Sequence, residues 1–423
     1  MIVLQRRNAE LFLLVFVGLV LFVGFFLGAK TTSRPIDEAM RFAGLLATML
    51  IVLHAANRFF IKMADPFLLP LGGFLSGLGT IMIWRLKPDL AATQIVWIFA
   101  GALAMLASLF ALRRYQWIKN YKYTWAAIGI VLLFAPAFIG VERGGAKLWL
   151  ALGPVTFQPA EIAKILFVFF LAAYLEEKRE LLSISTKRIF GLWVPEPKHL
   201  GPLIVMWLVS LIILVLERDL GTSLLFFGLF LAMLYVATGR LVYVTLGTFL
   251  FIIGATACYF AFAHVRVRFD VWLNPWIDPS GKGYQIVQSI FAITSGGLAG
   301  AGLGLGHPTL IPAVQTDFIF SALAEELGLL GGVAVMIAYL LFASRGLKIA
   351  LAAADSFGRL VAVGLSCVFA LQSFTIIGGT TKLIPLTGVT LPFMSYGGSS
   401  ILMNFILLAL LLLISARSGE IHE

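Results

Sequence analysis

Long apolar runs separated by short, often basic links dominate the chain. About twelve of them are long enough, or nearly so, to cross about 30 Å of hydrocarbon. They lie near 11–28, 41–61, 66–84, 91–112, 122–140, 159–175, 201–217, 221–238, 241–263, 317–343, 358–378 and 392–415. The pattern predicts an all-α polytopic membrane protein of about twelve transmembrane helices, the first retained rather than cleaved as a signal peptide. One connection is long, 263–316. Loops beyond about 12–15 residues are usually functional or disordered. This one alternates aromatic and amphipathic stretches, with Gln285 and Gln288 near one face of a short helix. It is expected to lie along the membrane interface over the bundle.

The polar positions inside this pattern are few, and the stretch 283–332 holds the most telling of them. A Gly-rich polar segment runs directly into a spanning helix, with Asp317 on its first turn and Glu325 and Glu326 about 12 Å further along. A charge within a hydrophobic span costs at least about 2.5–3.5 kcal/mol. These carboxylates therefore need partners or a task. For the two glutamates, structural pairs in a bundle are one reading and a role in shaping the cavity is the other; Asp317 lies at the water interface beneath a polar loop, where a substrate could reach it.

Four further groups carry polar residues at span ends. Gly144-Gly145-Ala146-Lys147 offers a Gly-rich turn and a cation, and Gln158-Pro159-Ala160-Glu161-Ile162-Ala163-Lys164 opens the sixth run. Glu161 and Lys164, three residues apart, share a helix face. They form either a self-satisfied ion pair or a lysine that Glu161 orients into a cavity to hold an anion. Glu217-Arg218-Asp219 joins two short runs, as a charged hairpin or as part of a site. Gly379-Thr380-Thr381-Lys382 and the segment from Pro392 through Ser395 and Tyr396 to Ser400 complete the set. Small residues there allow close helix packing, and they also expose backbone N–H groups to a phosphate. His54, Asn57 and Arg58 read as a polar packing cluster.

Orientation follows from the basic residues. Placing the N-terminus inside puts roughly 18 Lys and Arg on the cytoplasmic side, Lys187, Arg188 and Lys198 among them, against roughly 12 outside. Both termini are then cytoplasmic, and the polar groups gather with Asp317 at the outer end, where Lys147, Arg218 and Lys382 oppose the usual bias. Something anionic on that side would account for them. The composition, 60% hydrophobic and 12% charged, excludes a soluble domain. A net charge of +10 confined to short loops suits anionic headgroups rather than nucleic acid. The two cysteines, Cys258 and Cys367, fall mid-helix and read as packing. No phosphate-binding Gly-Lys-Ser/Thr loop and no paired-His metal motif is present.

Several segments together resemble the shape, elongation, division and sporulation (SEDS) family, that of RodA, FtsW and SpoVE. They are FQPAEIAK at 157–164, ERDLGT at 217–222, NPWIDPSGKGYQIVQS at 274–289, AGLGLG at 301–306, QTDFIFSALAEELG at 315–328 and LTGVTLPFMSYGGSS at 386–400. They occur in family order over about 66–415. Pro312-Ala313-Val314-Gln315 stands where members often have Pro-Glu-Arg-His, Ala160 and Arg218 replace the usual Ser and Pro, and Thr387 leans the match towards RodA. Any role of the missing Glu, Arg and His does not transfer.

The resemblance implies a ten-helix glycosyltransferase core at 63–423, preceded by two added helices at 1–62. It implies a bacterial inner-membrane enzyme that polymerises lipid II into β-1,4 glycan at the outer face, with a class B penicillin-binding transpeptidase as partner. The family's essential Asp falls on Asp317, expected as general base of an inverting transfer from which undecaprenyl diphosphate leaves. Residues expected to contact substrate are Lys147, Gln158, Glu161, Lys164, Asp219, Gln285, Gln288, Thr316, Lys382, Ser395 and Tyr396. No cofactor is evident, though the chemistry has room for a divalent cation, Mg or Mn. A lipid II flippase is the alternative, and an inactive scaffold a third reading.

Overall fold

In the computed structural model, residues 2–143, 146–153, 155–184, 186–189, 192–195, 201–217 and 219–421 are described. Gly144, Gly145, Lys198 and Arg218 lie outside them. The chain is helical, and the described residues form fourteen α-helices: α1 (Ile2–Thr31), α2 (Ile36–Phe60), α3 (Leu68–Leu86), α4 (Pro88–Ala111), α5 (Lys122–Ile139), α6 (Pro159–Ile184), α7 (Gly201–Leu216), α8 (Leu220–Thr238), α9 (Leu241–Ala261), α10 (Ala263–Leu273), α11 (Tyr284–Ser295), α12 (Ile319–Ala352), α13 (Ser356–Thr380) and α14 (Gly398–Ile421). Ten of the described helices are long and apolar enough to cross a membrane. The other two expected spans correspond to α6, which carries Glu161, Lys164 and a charged end from Glu176, and to α7, only 16 residues long. The expected loop 263–316 is ordered, carrying α10, α11 and two short 3-10 turns.

The chain divides into two compact units. One comprises residues 1–114, 271–354 and 372–423, the other 115–270 and 355–371, so α13 contributes to both. In the first, α3 is central: 83% of its apolar window is buried, against 28% for α1. It packs on α1, α4, α12 and α14. Small residues make this possible. A Cβ at Gly77 would lie 2.2 Å from Leu21 Cδ2, and one at Gly79 would lie 2.3 Å from the Met394 carbonyl oxygen and 2.6 Å from its Cα. Backbone cannot swing aside as a side chain can. Gly79→Ala is therefore expected to destabilise the protein by about 1–3 kcal/mol, read as a lowered melting temperature, and to disturb the neighbouring Ser395.

The expected polar cluster at the end of α2 forms around His54 and Asn57 with a member from α1, whereas Arg58, on the outward side of the last turn, is exposed and stays outside it. Glu10, fully buried, pairs with Arg7, meets His54 Nδ1 at 2.8 Å and accepts from Asn57 Nδ2 at 3.3 Å. Burying a charge this deeply is tolerable only with such partners.

In the second unit α8, 61% buried, packs on α6, α7 and α9. Asp219 caps its start, accepting from Thr222 N at 2.9 Å, and Gly239, at φ 68°, ends it in the left-handed conformation a C-cap favours. Phe167 and Phe226 meet edge to face at 5.0 Å in a core with Leu133, Ala163 and Ile213. Short strands, which the apolar pattern does not announce, fill the connections. β1 (Val141–Arg143), β2 (Ala146–Leu152) and β3 (Val155–Phe157) form an antiparallel sheet before α6, and β4 (Thr186–Ile189) pairs with β5 (Leu192–Pro195). Both cysteines are free.

Candidate active site

Asp317 sits two residues before α12, on a turn that the rest of its unit holds rigidly. Ala313 adopts φ 55°, and its carbonyl accepts from both Thr316 N and Asp317 N at 3.1 Å. A non-glycine residue in that region is strained and must be held there by its surroundings. The holding comes from 391–396. Tyr396 N donates to Gln315 O at 2.9 Å, and the Ser395 hydroxyl donates to Thr316 O while accepting from Leu391 N. That segment is fixed in turn: Gln94 of α4 donates to Ser395 O at 3.3 Å, and Tyr339 of α12 donates to Pro392 O at 2.7 Å. Phe393, at φ 63°, is locked between the Phe342 and Phe405 rings.

Asp317 itself is half-buried at the start of a helix, where N–H groups and dipole favour a negative charge. Its Oδ2 lies 4.0 Å from the position a Cβ would take on Gly388, a glycine at φ 74°. The residue opposite the carboxylate therefore presents bare backbone.

Ser289 brings α11 to the same neighbourhood. Its hydroxyl meets Ser321 Oγ of α12 at 2.7 Å and donates to Thr380 O of α13 at 2.8 Å. Ile286, Val287, Ser289 and Ala292 form the buried face of α11, which leaves Gln285 and Gln288 half-buried beside it. Lys382 follows Thr380 at φ 61°, its N–H bonded to Gly379 O and its carbonyl receiving Trp272 Nε1 at 3.1 Å. Of the expected site residues, Gln285, Gln288, Thr316, Asp317, Lys382, Ser395 and Tyr396 thus belong to one unit, on segments bonded to each other. Ser395 is buried and its hydroxyl is engaged in both directions, so it positions the turn. Ser395→Ala is expected to lower turnover by about 10–10²-fold through a displaced carboxylate, measured against an unchanged far-UV spectrum.

The remaining expected residues lie in the other unit. Lys147, exposed on β2, faces Glu142 across the hairpin. Gln158 is half-buried just before α6. Glu161 Oε2 and Lys164 Nζ pair at 2.7 Å with each side chain 7% exposed, which is the ion pair their spacing allowed. Asp219 is buried, and besides capping α8 it accepts from the Thr222 hydroxyl at 2.6 Å.

Glu325 and Glu326 have structural partners. Gly328, at φ 68° and ψ −169°, breaks α12, and the Gly-rich segment after α11 docks into the break. Ala301 N and Gly302 N donate to the carbonyls of Glu325 and Glu326, while Leu329 N and Leu330 N donate to those of Gly297 and Leu298. The side chains bind the same segment: Glu325 Oε1 accepts from His307 N at 2.6 Å and Glu326 Oε2 from Gly304 N at 2.9 Å. Arg85 of α3 pairs with Glu326 at 2.6 Å and donates to Gly306 O. Sequence reasoning identified the need for partners but not Arg85, which lies some 240 positions away and carries no local signal.

Among the described residues no three His, Cys, Asp or Glu side chains come together as a metal-holding group.

Residues 80–420 match the family model FtsW/RodA/SpoVE, described as cell cycle protein. The peptidoglycan glycosyltransferase RodA of Mycobacterium tuberculosis is 42% identical over 97% of this chain and 90% of its own length. Stage V sporulation protein E of Bacillus subtilis is 34% identical over 76% of this chain and 86% of its own. Among solved structures, a chain from a study of polymerization and crosslinking by a peptidoglycan synthase complex is 29% identical, with a TM-score of 0.69 over 84% of this chain and 98% of that one. A crystal structure of an aspartate-to-alanine variant of the Thermus thermophilus rod shape determining protein RodA is 25% identical, with a TM-score of 0.59 over 83% of this chain and 97% of that one. Fold, site segments and relatives agree, and this chain belongs to the FtsW/RodA/SpoVE family, on its RodA-like side.

Proposed function

We propose that Asp317 is the general base of a peptidoglycan glycosyltransferase that polymerises lipid II. The activity rests on the relatives: the chain is a peptidoglycan glycosyltransferase serving cell shape, and flipping of lipid II as its sole activity is not favoured. The base assignment rests on one observation, an accessible carboxylate held on a strained, multiply bonded turn at the end of a span. A positioned base contributes typically about 10²–10⁴-fold.

The chemistry asked of it is a single displacement. The GlcNAc 4-hydroxyl of incoming lipid II gives its proton to the Asp317 carboxylate as its oxygen attacks the anomeric carbon of the strand's terminal MurNAc. The C1–O bond to the diphosphate breaks from the opposite face, and undecaprenyl diphosphate carries off the electron pair. The α-linked donor becomes a β-1,4 bond. Charge growing on the diphosphate needs cations in a low-dielectric setting, and Lys382, which shares a unit with Asp317, is assigned that task. Gln285, Gln288 and Tyr396 of the same unit are assigned to sugar and peptide contacts. Thr316 and Ser395 are positioning residues.

The reaction is assigned to the outer face of the cytoplasmic membrane with both termini inside, supported by the basic bias of the opposite loops. The first two helices, 1–62, are read as an addition to a ten-helix core, supported by a family match that begins at residue 80. A class B penicillin-binding transpeptidase is the assigned partner, supported by likeness to a chain of a peptidoglycan synthase complex. The test is purified full-length protein with lipid II and that transpeptidase in detergent. Glycan polymer should appear and vanish in Asp317→Ala. Lipid II transfer across vesicles without polymer would overturn the reading.

A further inference from the structure

A polar cleft of about 510 Å³ lies at the other end of α12 from Asp317 but within the same unit, lined by Arg6, Asp65, Phe67, Arg345 and Lys348 together with the end of α14. Its charges do not cancel. Among the described lining residues Asp65 is the one carboxylate, and it is fully engaged: Oδ1 accepts from Phe67 N at 2.9 Å, and Oδ2 takes Arg345 Nε at 3.0 Å. Arg345 also stacks over the Phe67 ring at 4.4 Å, which fixes its plane. That pair is neutral. Arg6 bonds only a carbonyl, Met63 O, at 2.8 Å, and Lys348 is exposed with no hydrogen bond or ion pair to another described residue. Two uncompensated cations therefore face one cleft. Gly419 lets α14 pack closely on the α2–α3 link beside Arg6: a Cβ there would come 2.8 Å from Met63 Cβ and 3.4 Å from Arg6 Nη1.

The level of the cleft indicates the ligand's source. The uncharged apolar run of α1 starts at Leu11 and that of α14 stops at Ala416, so Arg6 and Gly419 fall just beyond the apolar stretches, at the level expected of headgroups. Lipid phosphates lie at that depth, and about 1 kcal/mol per Lys or Arg attracts them there. Leu341, 48% exposed and seven residues before Lys348 on the same face of α12, carries apolar surface from the cleft back toward the hydrocarbon, as an acyl chain requires.

We propose that this cleft binds the phosphate of an anionic phospholipid headgroup through Arg6 and Lys348. It joins α1, the α2–α3 link, α12 and α14, so the bound lipid clamps the N-terminal helices to the helix that begins two residues after Asp317. On the orientation assigned above, the lipid comes from the inner leaflet.

The test is native mass spectrometry of the full-length protein in detergent with phosphatidylglycerol, phosphatidylcholine or glycerol 3-phosphate. Phosphatidylglycerol is expected to be retained over phosphatidylcholine. Arg6→Gln and Lys348→Gln should each weaken it about fivefold, while Lys30→Gln, at the other end of α1, leaves it unchanged. Lys348 is exposed and partnerless, so its variant folds and carries the test even if Arg6→Gln does not. Equal phosphatidylglycerol retention in Lys348→Gln overturns the proposal. So does displacement by glycerol 3-phosphate at equal concentration, which would make the ligand a soluble phosphate.

Discussion

Asp317→Ala is expected to lower glycan polymerisation by about 10²–10⁴-fold with the melting temperature nearly unchanged. The turn around it is held by backbone groups, namely Ala313 O, Gln315 O and Thr316 O, so removal of the carboxylate leaves those bonds in place. Asp317→Asn should lose as much as alanine, because the amide keeps the shape but cannot take the proton. Asp317→Glu should recover little, since one methylene moves the oxygens by more than a positioned base tolerates. The measurement is the rate of polymer formation from lipid II at saturating substrate. Rates in all three variants within a few-fold of wild type would remove Asp317 from the reaction.

Breaking the Arg85–Glu326 pair should give the largest loss of stability. Glu326 is 1% exposed, and replacing Arg85 by Met leaves a buried carboxylate uncompensated, at a cost of about 3–5 kcal/mol. The double replacement Arg85→Met with Glu326→Leu should recover a good part of this, because two apolar side chains need no solvation. Recovery will be incomplete, since Gly304 N and Gly306 O lose their side-chain partners too. Thermal unfolding of the two single variants and the double variant measures the coupling, and simple additivity would show that the pair is not coupled. Activity should fall with stability in Glu326→Leu, because the segment it anchors continues through His307 into the turn that carries Asp317.

The relation between chain and fold is uneven along the sequence. Spans with uniform apolar composition, such as α4 and α14, were legible because about 20 apolar residues in lipid have one good conformation, a helix with every backbone group satisfied internally. The Glu161–Lys164 pair was legible for the same local reason, since helix geometry brings positions three apart onto one face. The break at Gly328 was not, although its glycine is plain in the chain. A glycine inside an apolar run costs little in itself, and only the Gly-rich segment arriving from 296–306 satisfies the groups the break frees. The strands before α6 escaped as well, their short runs merging into the flanking apolar pattern.

Taken alone, the chain determined that it is a helical membrane protein, which residues carry charge into the hydrocarbon, and that Asp317 stands at the end of a span. Those properties depend on composition and on spacings within one helix. Which distant group answers each charge was decided only by tertiary structure: Arg85 for Glu326, Asp65 for Arg345, and the 391–396 segment for the turn that carries Asp317. Such pairings join residues up to some 280 positions apart, and what selects them is helix packing, which no local pattern encodes.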